Sequence, residues 1–197
     1  MLASIHPLGE RARGQRFSVT VVALTVGSIG GAAILGLLLG GLGSLVRGDD
    51  GAVTPRAAVL AAAAVLAAVV DRRRGRVPSW HRQVNEDWLT QYRGWVYGFG
   101  FGAQLGVGVL TIVTTAAVYL TWIAAALTAS PVIGLVVGAS FGLARSVPLF
   151  ASASLVTPRA ITARVSRLEG WNGTFATVTV WAEITTACAA TLAVVYR

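Results

Sequence analysis

Lysine is absent from this 197-residue chain, cysteine occurs once, and charged residues make up only 12% of the sequence. Soluble domains carry about twice that share of charge. All sixteen basic residues are therefore arginine, which we interpret as the coding bias of a GC-rich bacterial genome. The one cysteine, Cys188, excludes an internal disulfide, a CxxC redox pair and a thiolate cage for a metal ion.

Charge is missing in long blocks. From 94 to 144 no Asp, Glu, Arg or Lys occurs, and hydrophobic residues form 55% of the whole chain. A helix rises about 1.5 Å per residue, so about 20 residues cross the hydrocarbon layer of a bilayer. Helices satisfy their own backbone polar groups there, which an isolated strand does not do. The sequence predicts an all-α, polytopic membrane helix bundle formed by one domain, 1–197.

Arginine positions predict how the bundle is oriented. We predict five transmembrane helices, at 18–46, 55–70, 95–127, 131–156 and 173–196. Arginine is concentrated in the N-terminal tail, in the 71–93 loop and in the 157–172 loop, whereas the intervening connections carry two or none. Because basic residues favour the cytoplasmic side, the N-terminus is predicted to be cytoplasmic. We expect a multi-pass protein of the bacterial inner (plasma) membrane.

Two of the arginine-rich loops have an amphipathic pattern. Aromatic and aliphatic residues recur every four positions in the first loop, at Trp80, Val84, Trp88 and Tyr92, and Ile161, Val165 and Leu168 face away from the arginines of the second. This pattern predicts one or two cytoplasmic interfacial helices on the lipid headgroups. We interpret the net charge of +8 as an interaction with anionic lipid headgroups, so the expected partner is the lipid bilayer and not a nucleic acid. Recruitment of a cytoplasmic partner is the alternative.

Glycine recurs at four-residue spacing within the predicted spans. The repeats are Gly27 and Gly31, Gly36 and Gly40, then Gly98, Gly102 and Gly106, and finally Gly134, Gly138 and Gly142. Residues four apart share a helix face, and glycine there allows two backbones to approach closely. The pattern predicts GxxxG packing within one chain. A homo-oligomer interface and glycine-broken helices lining a solute path are the alternatives.

Two of these glycine-rich segments carry a resemblance. GFGFGAQLGVGVLTIVTT, at 98–115, followed by PVIGLVVGASFGLARSVP, at 131–148, resembles the helix pairs of the CcdA/DsbD-transmembrane and LysE-type exporter superfamily. The resemblance implies kinship with the fold of small transporters. The thiol-carrying members of that superfamily use paired membrane cysteines. This chain has glycine or alanine instead, so disulfide electron transfer is not implied.

One acidic residue lies within the last predicted span. Insertion of an acidic side chain such as Glu183 at the centre of a transmembrane helix costs about 2.5–3.5 kcal/mol. Such a residue therefore needs a partner or a function. Counting from the span ends places Arg145 and Gln104 at a similar depth, so we predict an ion pair between Glu183 and Arg145 with Gln104 as a third member. The hydroxyls of Thr179 and Thr186, on the same helix face, complete this predicted intramembrane polar site. It is either a structural pair or a relay for protons, ions or a small solute.

The predicted function follows from this polar site. We expect a transporter-like protein, or a transporter subunit, that handles a small solute or ion and acts as a homo-oligomer or with a partner membrane subunit. The alternative is a non-transporting membrane scaffold or assembly subunit of a larger complex. An enzyme is not expected, because no Walker A, HExxH or GxSxG motif occurs. No catalytic residue, metal site or cofactor is predicted.

Overall fold

The computed structural model describes residues 5–46, 53–73, 77–79, 87–150 and 170–195, with isolated positions at 157, 163 and 166–167. The described regular structure is helical. Its helices are α1 Pro7–Ala12, α2 Phe17–Leu45, α3 Val53–Arg72, α4 Trp88–Gln91, α5 Gly94–Val107, α6 Ala117–Leu127, α7 Pro131–Phe150 and α8 Asn172–Val195. Four of them, α2, α3, α7 and α8, are long and apolar enough to cross a membrane.

Helix α2 packs along α5, and the two run parallel. Gly98 lies against Thr20 near the start of both helices, and Gly106 lies against Ser28 further along. The backbones are close enough that a methyl group on Gly106 would stand 2.0 Å from the Ser28 carbonyl oxygen. Only glycine fits such a contact, because a side chain would force the two helices apart.

Helix α7 packs against α2 in the opposite direction. Gly134, at the start of α7, meets Gly36, whereas Gly142 meets Ser28, which lies about two turns closer to the start of α2. The Ser28 hydroxyl also donates a hydrogen bond of 2.7 Å to the Gly142 carbonyl. The glycine faces of α2, α5 and α7 are therefore occupied by contacts within one chain.

Helices α3 and α8 form a second pair beside this three-helix group. Four alanines and one leucine, from α3, α6, α8 and the residue before α6, form their common apolar cluster, namely Ala64, Ala67, Ala116, Leu120 and Ala187. Helix α6 contacts both this pair and α2, where Gly43 near the end of α2 lies against Ala126 of α6.

Large apolar side chains cover the outward faces of the long helices. On α2, Val22, Ile34 and Leu42 are each about three-fifths exposed. A water-soluble surface does not carry a continuous apolar band of this size. Together with the four apolar helices, these faces identify a membrane protein with lipid around it.

The prediction of one continuous helix over 95–127 is wrong. Helix α5 ends at Val107 and α6 begins at Ala117, so 108–116 is non-helical. Gly108 adopts a left-handed conformation with φ 77°, which ends α5. Five consecutive residues, 111–115, have side chains branched at Cβ. Such side chains lose rotamer freedom in a helix, so this stretch disfavours continuation of the helix.

The other predicted spans correspond to helices whose ends differ by a few residues. Spans 18–46, 55–70 and 173–196 match α2, α3 and α8, and 131–156 matches α7 up to Phe150. Residues 151–156 and 196 lie outside the described residues. Of the predicted interfacial helices, the first is described only from 87 onward, where α4 makes one short turn, and most of the second lies outside the described residues.

Candidate functional site

The break between α5 and α6 lies near the middle of α2. Gly106, the second-last residue of α5, packs against Ser28, and Gly142 of α7 packs on the same residue. Ser28 is itself fully buried in the middle part of α2. Non-helical backbone at this level of a membrane protein persists only where protein or enclosed water satisfies its polar groups. The backbone polar groups of 108–116, hereafter the α5–α6 break, therefore need hydrogen-bond partners within the protein.

Side chains from the end of α3 and the following segment accept hydrogen bonds from the α5–α6 break. The Val113 amide donates to Ser79 Oγ at 2.9 Å, and the Ala116 amide donates to Asp71 Oδ1 at 2.8 Å. Within the break, Thr111 Oγ1 donates to the Gly108 carbonyl at 2.8 Å. These bonds replace the helical bonds that the backbone has lost.

Arg145 of α7 reaches the α5–α6 break from the other side. Its Nη2 donates to Thr111 Oγ1 at 3.3 Å, and its guanidinium carbon lies 5.5 Å from the centre of the Phe141 ring. Its buried Nε has no hydrogen-bond partner among the described residues. The break therefore has a cationic donor at Thr111 and the Asp71 carboxyl at Ala116.

The predicted ion pair between Glu183 and Arg145 is not formed. Arg145 binds Thr111, whereas Glu183 is only 2% exposed, and neither of its carboxyl oxygens has a hydrogen-bond partner within the described part of the chain. The physical reason is helix arrangement: α8 packs along α3, whereas α7 packs along α2. Counting residues from span ends gives a depth but does not say which helices are neighbours.

Asp71 is the acidic neighbour of Glu183. Helix α3, which carries Asp71 near its end, packs along α8, and Asp71 lines one cavity together with Val180 and Ile184, which flank Glu183 on α8. Asp71 Oδ2 is buried and, like both oxygens of Glu183, lacks a partner among the described residues. Asp71 thus contacts the α5–α6 break through Oδ1 and faces Glu183 with the rest of its carboxyl.

The remaining members of the predicted polar site are not brought to Glu183. Gln104 lies on α5, and its backbone carbonyl accepts a hydrogen bond from the Gly108 amide. The hydroxyls of Thr179 and Thr186 donate to carbonyls of their own helix, Phe175 and Ala182 respectively. Serine and threonine make such bonds in apolar helices to satisfy their hydroxyls.

A second buried acid, Glu10, was not identified from the sequence. It is fully buried, and its Oε2 accepts hydrogen bonds of 2.6 Å from Thr20 Oγ1 and from the Tyr97 hydroxyl. Its Oε1 forms an ion pair of 2.6 Å with Arg13. Burial alone would lower the pKa of Arg13, but the hydrogen bond and charge of Glu10 outweigh it and raise that pKa above its ordinary value. This network joins α1, α2 and α5.

The sequence contains signals for Glu10 and Asp71, the two acidic residues that were not predicted as members of a site. Glu10 precedes Arg13 by three residues, the spacing at which side chains on one helix face interact. Asp71 comes directly after the apolar run of α3 and before Arg72 and Arg73, so the sequence favoured a solvated loop position. Its contact with Glu183 depends on the α3–α8 pairing, which residue spacing does not predict.

Comparison with known proteins gives one partial similarity. No family model matches the chain, and no solved structure matches it. The chain is similar to the methylamine utilization protein MauF of Paracoccus denitrificans, with 33% identity over 125 residues. The matched region covers 62% of this chain and 45% of that relative. The chain therefore spans less than half the length of the curated relative that it matches.

Proposed function

We propose that this protein is transporter-like, or a subunit of a transporter, and handles a small solute or ion at the α5–α6 break. The observation that carries the proposal is the interruption of a helix beside the middle of α2, inside a stretch of the chain without charge. Discontinuous helices in transporters expose backbone amides and carbonyls at mid-membrane, where those groups bind ions and polar solutes. The proposed site is reached by water.

The chemistry of the break supports a site for a small polar species. Arg145 offers a fixed positive charge with an unused buried Nε, and Thr111 offers a hydroxyl. Asp71 offers negative charge at the opposite end of the break. Transport and binding need only such groups, so the proposal includes no catalytic residue and the protein is proposed not to be an enzyme.

The packing of the helices supports relative movement between two groups. Glycine contacts hold the backbones of α2, α5 and α7 together, and groups packed this closely resist deformation. The α3–α8 pair contacts α6 through alanine and leucine side chains. We propose that this pair moves against the three-helix group during transport. Kinship with the LysE-type exporter fold and an inner-membrane location belong to the same proposal.

A membrane assembly subunit is the second candidate function. The similarity to MauF, which is named for the utilization of methylamine, is compatible with an accessory membrane subunit as well as with transport. In this alternative the break is a structural joint, and the apolar outer faces contact a partner membrane subunit or a second copy of the chain.

Flux through liposomes distinguishes the two candidates. The full chain would be reconstituted, and entry of radiolabelled methylammonium, acetate, sodium and protons would be measured separately. Transport predicts entry of at least one probe above that into protein-free liposomes. Arg145→Gln should reduce this flux about tenfold or more, because a lost charged hydrogen bond is worth about 1.5–3 kcal/mol.

Arg11→Gln is the matched control, because it removes the same charge from an exposed position on α1. It should leave the flux unchanged. If the folded protein passes none of the probes, or if both variants reduce flux equally, the transport proposal fails at the α5–α6 break and the assembly subunit is favoured.

A further inference from the structure

Two carboxyl groups lie between α3 and α8, and three of their four oxygens have no hydrogen-bond donor among the described residues. Glu183 is almost fully buried, and neither of its carboxyl oxygens has a partner among the described residues. Asp71 Oδ2 is also buried and also has no partner there. An ionised carboxylate only accepts hydrogen bonds, so two ionised carboxylates cannot bond to each other. A single proton turns one of them into a donor and removes one of the two adjacent negative charges.

No other described group neutralises the two carboxyls. Arg72 of α3 lines the cavity next to Asp71, but it forms no ion pair with Asp71 or Glu183. Ala116 of the break and Leu120 of α6 face this region, and the Tyr119 hydroxyl donates to the Pro78 carbonyl instead. On α8 itself the other described titratable group, Cys188, is exposed. Two unpaired buried charges would cost several kcal/mol.

We propose that Asp71 and Glu183 form a proton-binding site in which the two carboxyls share one proton. Uptake of the proton forms an O–H bond on one carboxyl, which donates to the other, and the pair then carries one negative charge. Release breaks that O–H bond and leaves two carboxylates. The proton belongs to the pair and not to either residue.

A cavity reaches the pair from the side of Asp71. It has a volume of about 230 Å³ and is lined by Asp71, Arg72, Thr177 and Trp181 among others. One water molecule occupies about 30 Å³ in the liquid, so the cavity has room for several. The wall contributed by Asp71 and Thr177 is polar, as a path for proton exchange requires.

Proton occupancy is coupled to the α5–α6 break through Asp71. Its Oδ1 accepts the hydrogen bond from the Ala116 amide at the start of α6, and such a bond is stronger when the acceptor is ionised. Loss of the shared proton therefore strengthens the hold of Asp71 on α6 while it repels Glu183 of α8. This inference does not depend on transport, because a protein without flux would still bind the proton.

Infrared spectroscopy of the full chain in lipid nanodiscs tests the site. A protonated carboxyl has a C=O band separate from that of a carboxylate. We expect this band in the wild type at pH 7, and we expect it to disappear in both Glu183→Gln and Asp71→Asn, because each variant supplies an amide donor to the carboxyl that is left. Glu10→Gln should keep the band, since Glu10 is paired with Arg13 and does not belong to the proposed site.

Three results would overturn the proposal. The first is a wild-type spectrum without the band at pH 7, and the second is a band retained in either single variant, because one residue would then hold the proton alone. The third is a band that appears only when sodium is replaced by choline, which would identify a metal-cation site.

A double variant covers the case in which the single variants do not fold. Asp71→Asn combined with Glu183→Gln keeps a hydrogen-bonded, uncharged contact, so it is expected to fold. The wild type binds the shared proton only when folded, so its stability should fall as pH rises through the loss of that proton. The double variant should lose this part of the pH dependence. Equal pH profiles of thermal unfolding for the two proteins would contradict the shared proton.

Discussion

Two acidic residues, Glu10 and Glu183, are buried to almost the same extent but have opposite surroundings. Glu10 is bonded by Arg13, Thr20 and Tyr97, so its charge is compensated by three donors. Glu183 faces another acid and has no donor among the described residues. Glu10 therefore contributes to the stability of the fold, because each of its carboxyl oxygens has a donor. Glu183 has the features of a functional group, which we infer to be proton binding.

Removal of the Tyr97 hydroxyl should destabilise the protein. In Tyr97→Phe, Glu10 Oε2 keeps only its bond from Thr20, and a hydrogen bond to a charged group contributes about 1.5–3 kcal/mol. We therefore expect the free energy of unfolding in detergent micelles to fall by about that amount. Tyr92→Phe is the control, since Tyr92 is about half exposed and should change stability by about 0.5 kcal/mol or less. Equal effects of the two variants would show that the Glu10 network contributes nothing particular.

At the scale of single elements, the sequence predicted the long helices and missed the break. Helices α2, α3 and α8 follow from apolar runs long enough to cross a bilayer, so their ends were found within a few residues. The stretch 95–127 is equally apolar, and hydropathy does not distinguish a continuous helix from a broken one. The informative signal was conformational: Gly108 and, three residues later, the start of five consecutive residues branched at Cβ, 111–115.

The glycine contacts of α2 predict a position-dependent response to alanine. A methyl group on Gly36 would stand 2.1 Å from the Gly134 carbonyl oxygen, whereas one on Gly30 would meet nothing within 4 Å. Gly36→Ala should therefore lower the free energy of unfolding by about 1–3 kcal/mol, as overpacking does. Gly30→Ala, on the same helix, should be neutral or slightly stabilising. Thermal unfolding of both variants checks this, and a harmless Gly36→Ala would contradict the close approach of α2 and α7.

The hydrogen bond from the Val113 amide to Ser79 should hold the α5–α6 break in place. Ser79→Ala removes the acceptor, which should cost about 1–3 kcal/mol if the amide stays unsatisfied. Hydrogen–deuterium exchange is expected to become faster over 108–116. Ser44→Ala is the control, because Ser44 donates to a carbonyl of its own helix. Unchanged exchange over the break in Ser79→Ala would show that Ser79 does not support it.

At the scale of the whole molecule, the sequence predicted the fold class more accurately than the arrangement of the helices. The long stretches without charged residues and the apolar composition indicate a helical membrane protein, and the structure agrees. The predicted site failed because it joined Arg145 and Glu183, which belong to helices packed in different groups. Neighbour relations among helices depend on shape, chiefly the glycine faces of α2, α5 and α7, and depth alone does not determine them.

The predicted orientation is tested by labelling from one side of the membrane. In a Cys188→Ala background, Leu45→Cys at the end of α2 should react with a membrane-impermeant maleimide added to intact cells. Arg11→Cys, before α2, should react only after the cells are permeabilised. The opposite pattern would invert the orientation, and labelling of both positions from the same side would show that α2 does not cross the membrane.

Water access to the α5–α6 break is the most direct test of the proposed working site. In proteoliposomes of the Cys188→Ala background, Thr114→Cys in the break and Val26→Cys on the outer face of α2 would be treated with a water-soluble thiosulfonate. Both positions are exposed on the protein surface, but lipid is expected to cover Val26. We expect Thr114→Cys to react and Val26→Cys not to react. A Thr114→Cys that is as unreactive as Val26→Cys would contradict a water-reached site at the break.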